Sequence, residues 1–364
     1  MLSRRVNDEL LELEALTAAR DFGAVLKLGA PLLTKPWSAD EIALVRFYLG
    51  QAHCRLVEPR EALACLPAAR QQFELQTDER LAVEALDWEA SAWGLLEDPG
   101  ALALEEEALE RCRKLDPPQQ QLEARILGHL ANMFIVTRSW SLAISYYEAA
   151  VAAASAVKDL LQLAKMHHGL GMAYRRSQQS SVARHHLDRA IALYSIESDR
   201  SAVYRAECDL GDLLLSEGHL DAAESHLLTA LAGAEELHIN RRGRGFILGN
   251  LGDVCLRRGR MDEARVYMNR ALENGQAFGE RIVVADAEML LGKLEEKLGN
   301  AGLADAHYQA AIRNLEEIEM PNRLRDCHVE YAQLLEARGD IRAALRQLHL
   351  ACGTERTTEV KTAG

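Results

Sequence analysis

The sequence predicts an all-α protein made of one helix pair repeated along the chain, and three observations carry that expectation. Ala, Leu, Glu and Arg dominate, while aromatic residues make up only 5% of the 364 positions, a balance that favours helices over strands. Only eight prolines are present, so long stretches are free of helix breakers. Small residues recur within amphipathic segments every 40 or 41 positions, at Gly50, Ala90, Ala131, Gly171, Gly211, Gly252, Gly292 and Ala332. Length alone would suit two or three ordinary domains. The period replaces them with a single continuous array, residues 1–352.

Each element follows from that register. Residues 1–39 read as a degenerate first pair, with Ala24 and Leu28 in the register of its second helix. Ser38-Ala39-Asp40-Glu41 offers a capping box where the first clear unit starts, the serine oxygen taking a backbone N–H and the glutamate reaching back. In each first helix the small anchor lets a neighbouring backbone approach, and the preceding leucine of Leu170-Gly171 or Leu210-Gly211 fills the gap. Seven residues later Gly218, Gly259, Gly299 and Gly339 read as left-handed helix stops. The second helix then carries an alanine–large–alanine stripe, such as Ala264, Met268, Ala271 or Ala304, Tyr308, Ala311. Spacings of four and three put such residues on one face. The unit anchored on Ala90 departs from the pattern: Trp88 and Trp93 replace the usual residues, and its Ala101–Ala108 stripe runs one residue short. Eight units fill 40–352, and the tail 353–364 is expected to be flexible.

Composition also excludes several function classes. A formal charge of −13 argues against direct nucleic-acid binding, which needs a basic footprint. No apolar run approaches the roughly 20 residues of a transmembrane helix, and the N-terminus has no apolar signal core. Seven scattered cysteines without a CxxC pair suit neither a disulfide scaffold nor a zinc finger. These features together predict a cytoplasmic protein. Phosphate-loop, HExxH and GxSxG signatures are all missing, so the chain is expected not to be an enzyme and to need no cofactor. His167-His168 and His185-His186 fall on the two helices of one repeat, yet neighbouring helical positions point about 100° apart. Each pair offers one ligand per face, and no metal is expected. The basic run Arg241-Arg242-Gly243-Arg244-Gly245 reads as a solvated turn.

The Leu-Gly anchor, the large residue three positions later (Phe134, Tyr174) and the alanine–large–alanine second helix resemble the tetratricopeptide repeat in a long variant of about 40 residues. The resemblance covers nearly the whole chain and implies a right-handed superhelical solenoid of about nine repeats, or about 18 antiparallel helices. It also implies a concave surface lined by the first helices, at six and three positions before the anchor and one, four and five after it. Carried onto this sequence, the position six before gives a basic row, Arg125, Lys165 and Arg205. The position one after gives Asn132, Asp212 and Asp253, and the others add His168 and Arg175. In peptide-binding members such amides hold a peptide backbone and such cations grip carboxylates.

The expected function is therefore a scaffold that captures a protein or peptide segment, acidic or ending in a free carboxylate. The alternative is a signal-sensing part of a bacterial transcription regulator, because the array also resembles the tetratricopeptide parts of Rap, PlcR and MalT types. In that case the DNA-binding domain lies outside this sequence. Exposed array ends commonly pair, so a homodimer is a further expected partner.

Overall fold

The computed structural model describes residues 8–96, 98–236, 243–318 and 320–362, and among these the side chains of all but 321, 322 and 354–362. Every described element is an α-helix, and the chain divides into two compact units, 1–197 and 198–364. The N-terminal unit holds α1 (Asp8–Ala18), α2 (Phe22–Leu32), α3 (Ala39–Arg55), α4 (Pro59–Leu75) and α5 (Glu79–Leu95). It continues with α6 (Gly100–Arg113), α7 (Gln120–Val136), α8 (Trp140–Ala156), α9 (Leu160–Arg176) and α10 (Ser180–Ile196). The C-terminal unit holds α11 (Arg200–Ser216), α12 (Leu220–Glu236), α13 (Arg244–Arg257) and α14 (Met261–Phe278). Its last four helices are α15 (Arg281–Lys297), α16 (Ala301–Glu317), α17 (Pro321–Ala337) and α18 (Ile341–Thr362). None of the helices searched among the described residues is long and apolar enough to cross a membrane.

The anchors work by steric exclusion. A Cβ added at Gly171 would lie 2.7 Å from Leu187 Cγ, and at Gly211 2.7 Å from Leu227 Cγ. At Gly252 and Gly292 the same space belongs to Met268 and Tyr308. The large member of each stripe thus presses into the notch of the preceding helix, and its flanking alanines 183, 190, 223 and 230 are fully buried. That nearest-neighbour interlock gives the repeat its core.

Helix ends follow the sequence with two differences. Ser38 forms the expected box: its backbone N–H donates to Glu41 Oε2 at 2.9 Å, and its Oγ accepts from Glu41 N–H at 3.3 Å. Gly218, Gly259, Gly299 and Gly339 are left-handed, with φ between 78 and 85°. In the N-terminal unit the same turn falls on non-glycine residues, including the β-branched Val57 at φ 62° and Thr77 at φ 59°. Val57 is exposed and its side chain is ill suited to that region. Val57→Gly is expected to raise stability by about 0.5–1 kcal/mol in urea unfolding; a less stable variant would refute this account of the turn. The second difference is that α18 runs on to Thr362, so the segment expected to be a flexible tail is helical for most of its length.

Within residues 1–39, expected to be a degenerate first pair, the described residues form α1 and α2, and the buried register of α2 is one residue later than expected. Val25, Gly29 and Leu32 are buried rather than Ala24 and Leu28, because Leu49 occupies the notch at Gly29, 2.8 Å from where a Cβ would stand.

Candidate functional site

The first helices of three repeats, α3, α7 and α9, present register positions to a cavity of about 410 Å3 in the N-terminal unit. Four residues singled out from the sequence line it: Arg125, Asn132, Lys165 and His168. Arg55 joins them from the last turn of α3. It stands five after Gly50, and completing that row along the sequence would have found it.

These side chains differ in how far they are committed. Arg125 Nε donates to Asp87 Oδ2 at 2.6 Å, and its Nη2, 3.8 Å from Glu84, makes no hydrogen bond. Its guanidinium also lies 5.2 Å from the centre of the Trp88 ring, with Arg55 4.6 Å from the same centre. Asn132 Oδ1 accepts from the Tyr147 hydroxyl at 2.6 Å, which aligns its amide. His168 packs edge-on against Tyr194, ring centres 6.1 Å apart. Lys165 is half-buried and, like Arg55, makes no ion pair with a described residue. Burial pushes its ammonium down to about 7, helped by the positive charges of Arg55, Arg20 and Arg125.

The remaining sequence candidates lie elsewhere. Arg175, on the last turn of α9, does not line this cavity. Arg205, Asp212 and Asp253 belong to the C-terminal unit. There Arg205 Nε donates to the Ser201 carbonyl, 3.3 Å away on its own helix. Asp253 pairs with Arg257 at 2.8 Å on the wall of a second cavity, about 500 Å3. Of the basic run, 241 and 242 lie outside the described residues, while Arg244 pairs with Glu235 at 2.5 Å. His167 and His186 meet each other, Nδ1 to Nδ1 at 2.9 Å.

A third cavity, about 570 Å3, adjoins the first through His129 and Asn132. Leu95, Leu102, Met133, Phe134 and Val136 give it an apolar lining.

Beneath the cation-lined wall is a cluster that sequence reasoning missed. Asp87 from α5, Glu105 from α6 and His129 from α7 converge, with His129 Nδ1 2.7 Å from Asp87 Oδ1 and 3.6 Å from Glu105 Oε1. The Asp87 and Glu105 side chains have no exposed surface. Burial opposes ionisation of Asp87, but the His129 and Arg125 charges outweigh it and hold the carboxyl well below its usual range. Burial alone would lower His129; the charge and hydrogen bond of Asp87 instead raise it to about 9. Glu105 is pushed well above the ordinary carboxyl range by burial and by the Asp87 charge. A signal was available. Ala101, Glu105 and Ala108 form the stripe of the irregular unit, so Glu105 occupies the slot held elsewhere by Leu66, Tyr147, Leu187 and Leu227. An acid in that apolar slot announces a buried polar network.

Comparison with known proteins places this geometry. The tetratricopeptide repeat family model matches residues 122–195 and 202–277. Among solved structures the chain is similar to the apo form of RapI, at 11% identity and TM-score 0.73, covering 97% of this chain and 98% of that one. It is also similar to the apo form of the quorum sensor NprR from B. thuringiensis, at 13% identity and TM-score 0.71, over 98% and 100%. A Rap protein complexed with competence and sporulation factor matches at 13% identity and TM-score 0.68, over 98% and 99%. At such identities the likeness concerns the fold. A ferrochelatase from Pseudomonas fluorescens is 24% identical over 123 residues, 34% of this chain, and the chain spans 36% of that protein's length. The chain thus carries tetratricopeptide repeats over the matched segments, and the shared fold and the 40-residue interlock extend the same all-helical repeat architecture to the described residues beyond them.

Proposed function

We propose that the chain is a non-enzymatic peptide-binding scaffold whose N-terminal cavity grips an acidic side chain or a C-terminal carboxylate. The observation that carries this reading is that Arg55 and Lys165 line the cavity without an ion-pair partner among the described residues, in a protein of net charge −13. A carboxylate supplies what both cations lack. The Asn132 amide, fixed by Tyr147, is suited to a peptide backbone group. The adjoining apolar cavity suits a hydrophobic side chain of the same segment. Arg125 has a different part from the one its row position implied. Committed to Asp87, it adds positive potential and leaves direct grip to Lys165 and Arg55. Arg205, Asp212 and Asp253, in the C-terminal unit, are a separate candidate binding surface, tested by Arg205→Glu.

A pentapeptide library with free C-terminal carboxylates, run beside its amidated counterpart, tests the reading by fluorescence polarisation. Lys165→Gln and Arg55→Gln are each expected to weaken selected carboxylate peptides about tenfold or more. Affinity should also fall as pH rises through about 7, where Lys165 loses its charge. Undiminished affinity in the double variant sinks the proposal.

The second reading, a signal-sensing domain, is favoured by one observation. Solved structures similar over nearly the whole chain include a quorum sensor and a Rap protein in complex with a signalling factor. Hydrogen exchange with the selected peptide separates the two. Protection confined to α3, α7 and α9 favours a passive scaffold, whereas changes in helices remote from the cavity favour sensing.

A further inference from the structure

The buried cluster has a property that its own ion pairs leave unexplained. Glu105 has no exposed side-chain surface, and neither of its carboxylate oxygens has a hydrogen-bond partner. A buried carboxyl in that state is costly unless a proton or a cation joins it. Its surroundings are those of a ligand set, since one atom each from Asp87, Glu105 and His129 lie within 4.8 Å of one another.

We propose that Asp87, Glu105 and His129 form a binding site for a first-row divalent cation of the Zn2+ or Mn2+ class. One imidazole nitrogen and two carboxylate oxygens suit such ions better than Mg2+ or Ca2+, which take oxygen ligands. Ligand atoms around a Zn2+ ion stand about 3–3.5 Å apart. The Nδ1 separations of 2.7 and 3.6 Å bracket that range, so small side-chain shifts complete the set. Asp87 already has the orientation a ligand needs: Arg125 Nε holds Oδ2 at 2.6 Å and leaves Oδ1 towards the cluster. Such an outer partner fixes a ligating carboxylate. His129 lines both the cation-lined and the apolar cavity, which provides an entry path and room for water in the open coordination positions. His129 binds the ion through Nδ1 and Glu105 through a carboxylate oxygen, each after giving its proton to solvent. This site goes beyond peptide capture and does not depend on it.

The test uses the full chain stripped with EDTA and titrated separately with Zn2+, Mn2+ and Mg2+, read by calorimetry and melting temperature. One equivalent of Zn2+ or Mn2+ is expected to bind saturably and raise the melting temperature by several degrees, with no such effect from Mg2+. Glu105→Gln keeps the shape of a protonated glutamic acid but removes a ligand. It should fold and melt like the stripped parent, yet bind Zn2+ and Mn2+ at least about tenfold more weakly. His129→Gln should lose the same response. Absence of saturable binding in the parent overturns the site and leaves Glu105 simply protonated. Binding retained unchanged in both variants also overturns it, by placing the ion elsewhere.

Discussion

Asp87→Asn is expected to lower the unfolding free energy by about 3–5 kcal/mol, the usual cost of breaking a buried ion pair from one side. Asp87 is the only fully buried anion among the described residues that meets two cationic side chains at once: Arg125 at 2.6 Å and His129 at 2.7 Å. The amide preserves volume but leaves two inward-facing positive groups uncompensated, with Glu105 beside them. Urea unfolding in EDTA measures this, because chelation separates the ion-pair contribution from any bound cation. A loss below about 1 kcal/mol means that solvent reaches the cluster and that its charges are screened.

Leu187→Ala should cost about 2–5 kcal/mol. Leu187 has no exposed surface and fills the notch at Gly171. Gly171→Ala approaches the same contact from the other side. Its new Cβ would stand 2.7 Å from Leu187 Cγ, and overpacking of this kind typically costs about 1–3 kcal/mol. The double variant tests the interlock, since the added methyl then fills space that the lost leucine vacates. Its destabilisation should fall short of the sum by about 1 kcal/mol or more. Strict additivity means that the two residues do not share a notch and that the anchor has another role.

Both experiments bear on how far the molecule can be read from its sequence. The repeat was legible: a small anchor followed by alanines twelve and nineteen residues later is a local pattern, repeated until chance is excluded. The gap at the anchor, expected to be filled by the preceding leucine, is filled instead by the large residue sixteen positions on, as by Leu187 at Gly171. Helix stops at Gly218, Gly259, Gly299 and Gly339 were legible for the same reason, because glycine is the residue that takes φ near 80° without cost. Val57 and Thr77, both exposed, make the same turn without a recognisable residue type, so the geometry of the helix connection overrides their local preference. The first pair was displaced by one residue because Leu49, on a different helix, decides which small residue it faces.

For the candidate site, the tetratricopeptide resemblance carried onto the register named Arg125, Asn132, Lys165 and His168, and the structure brings these four to one cavity of the N-terminal unit. The register could not foresee that Arg125 is already paired, which depends on Asp87 lying 38 residues earlier. Nor did it bring Asp87, Glu105 and His129 together. Glu105 belongs to the unit whose stripe runs one residue short, and that shift turns an acid into the core.

By itself, then, the sequence determined the all-helical repeat, its period, its steric anchors and which helix faces carry polar residues. These are periodic, nearest-neighbour properties, and periodicity is written directly into residue order. Only the tertiary structure decided where the chain divides into two units, which cations face a cavity unpaired, and how three ligand-type side chains meet beneath them. Those outcomes depend on the rotation of individual helices about their axes. A one-residue shift in register turns a side chain by about 100°, enough to exchange solvent for core.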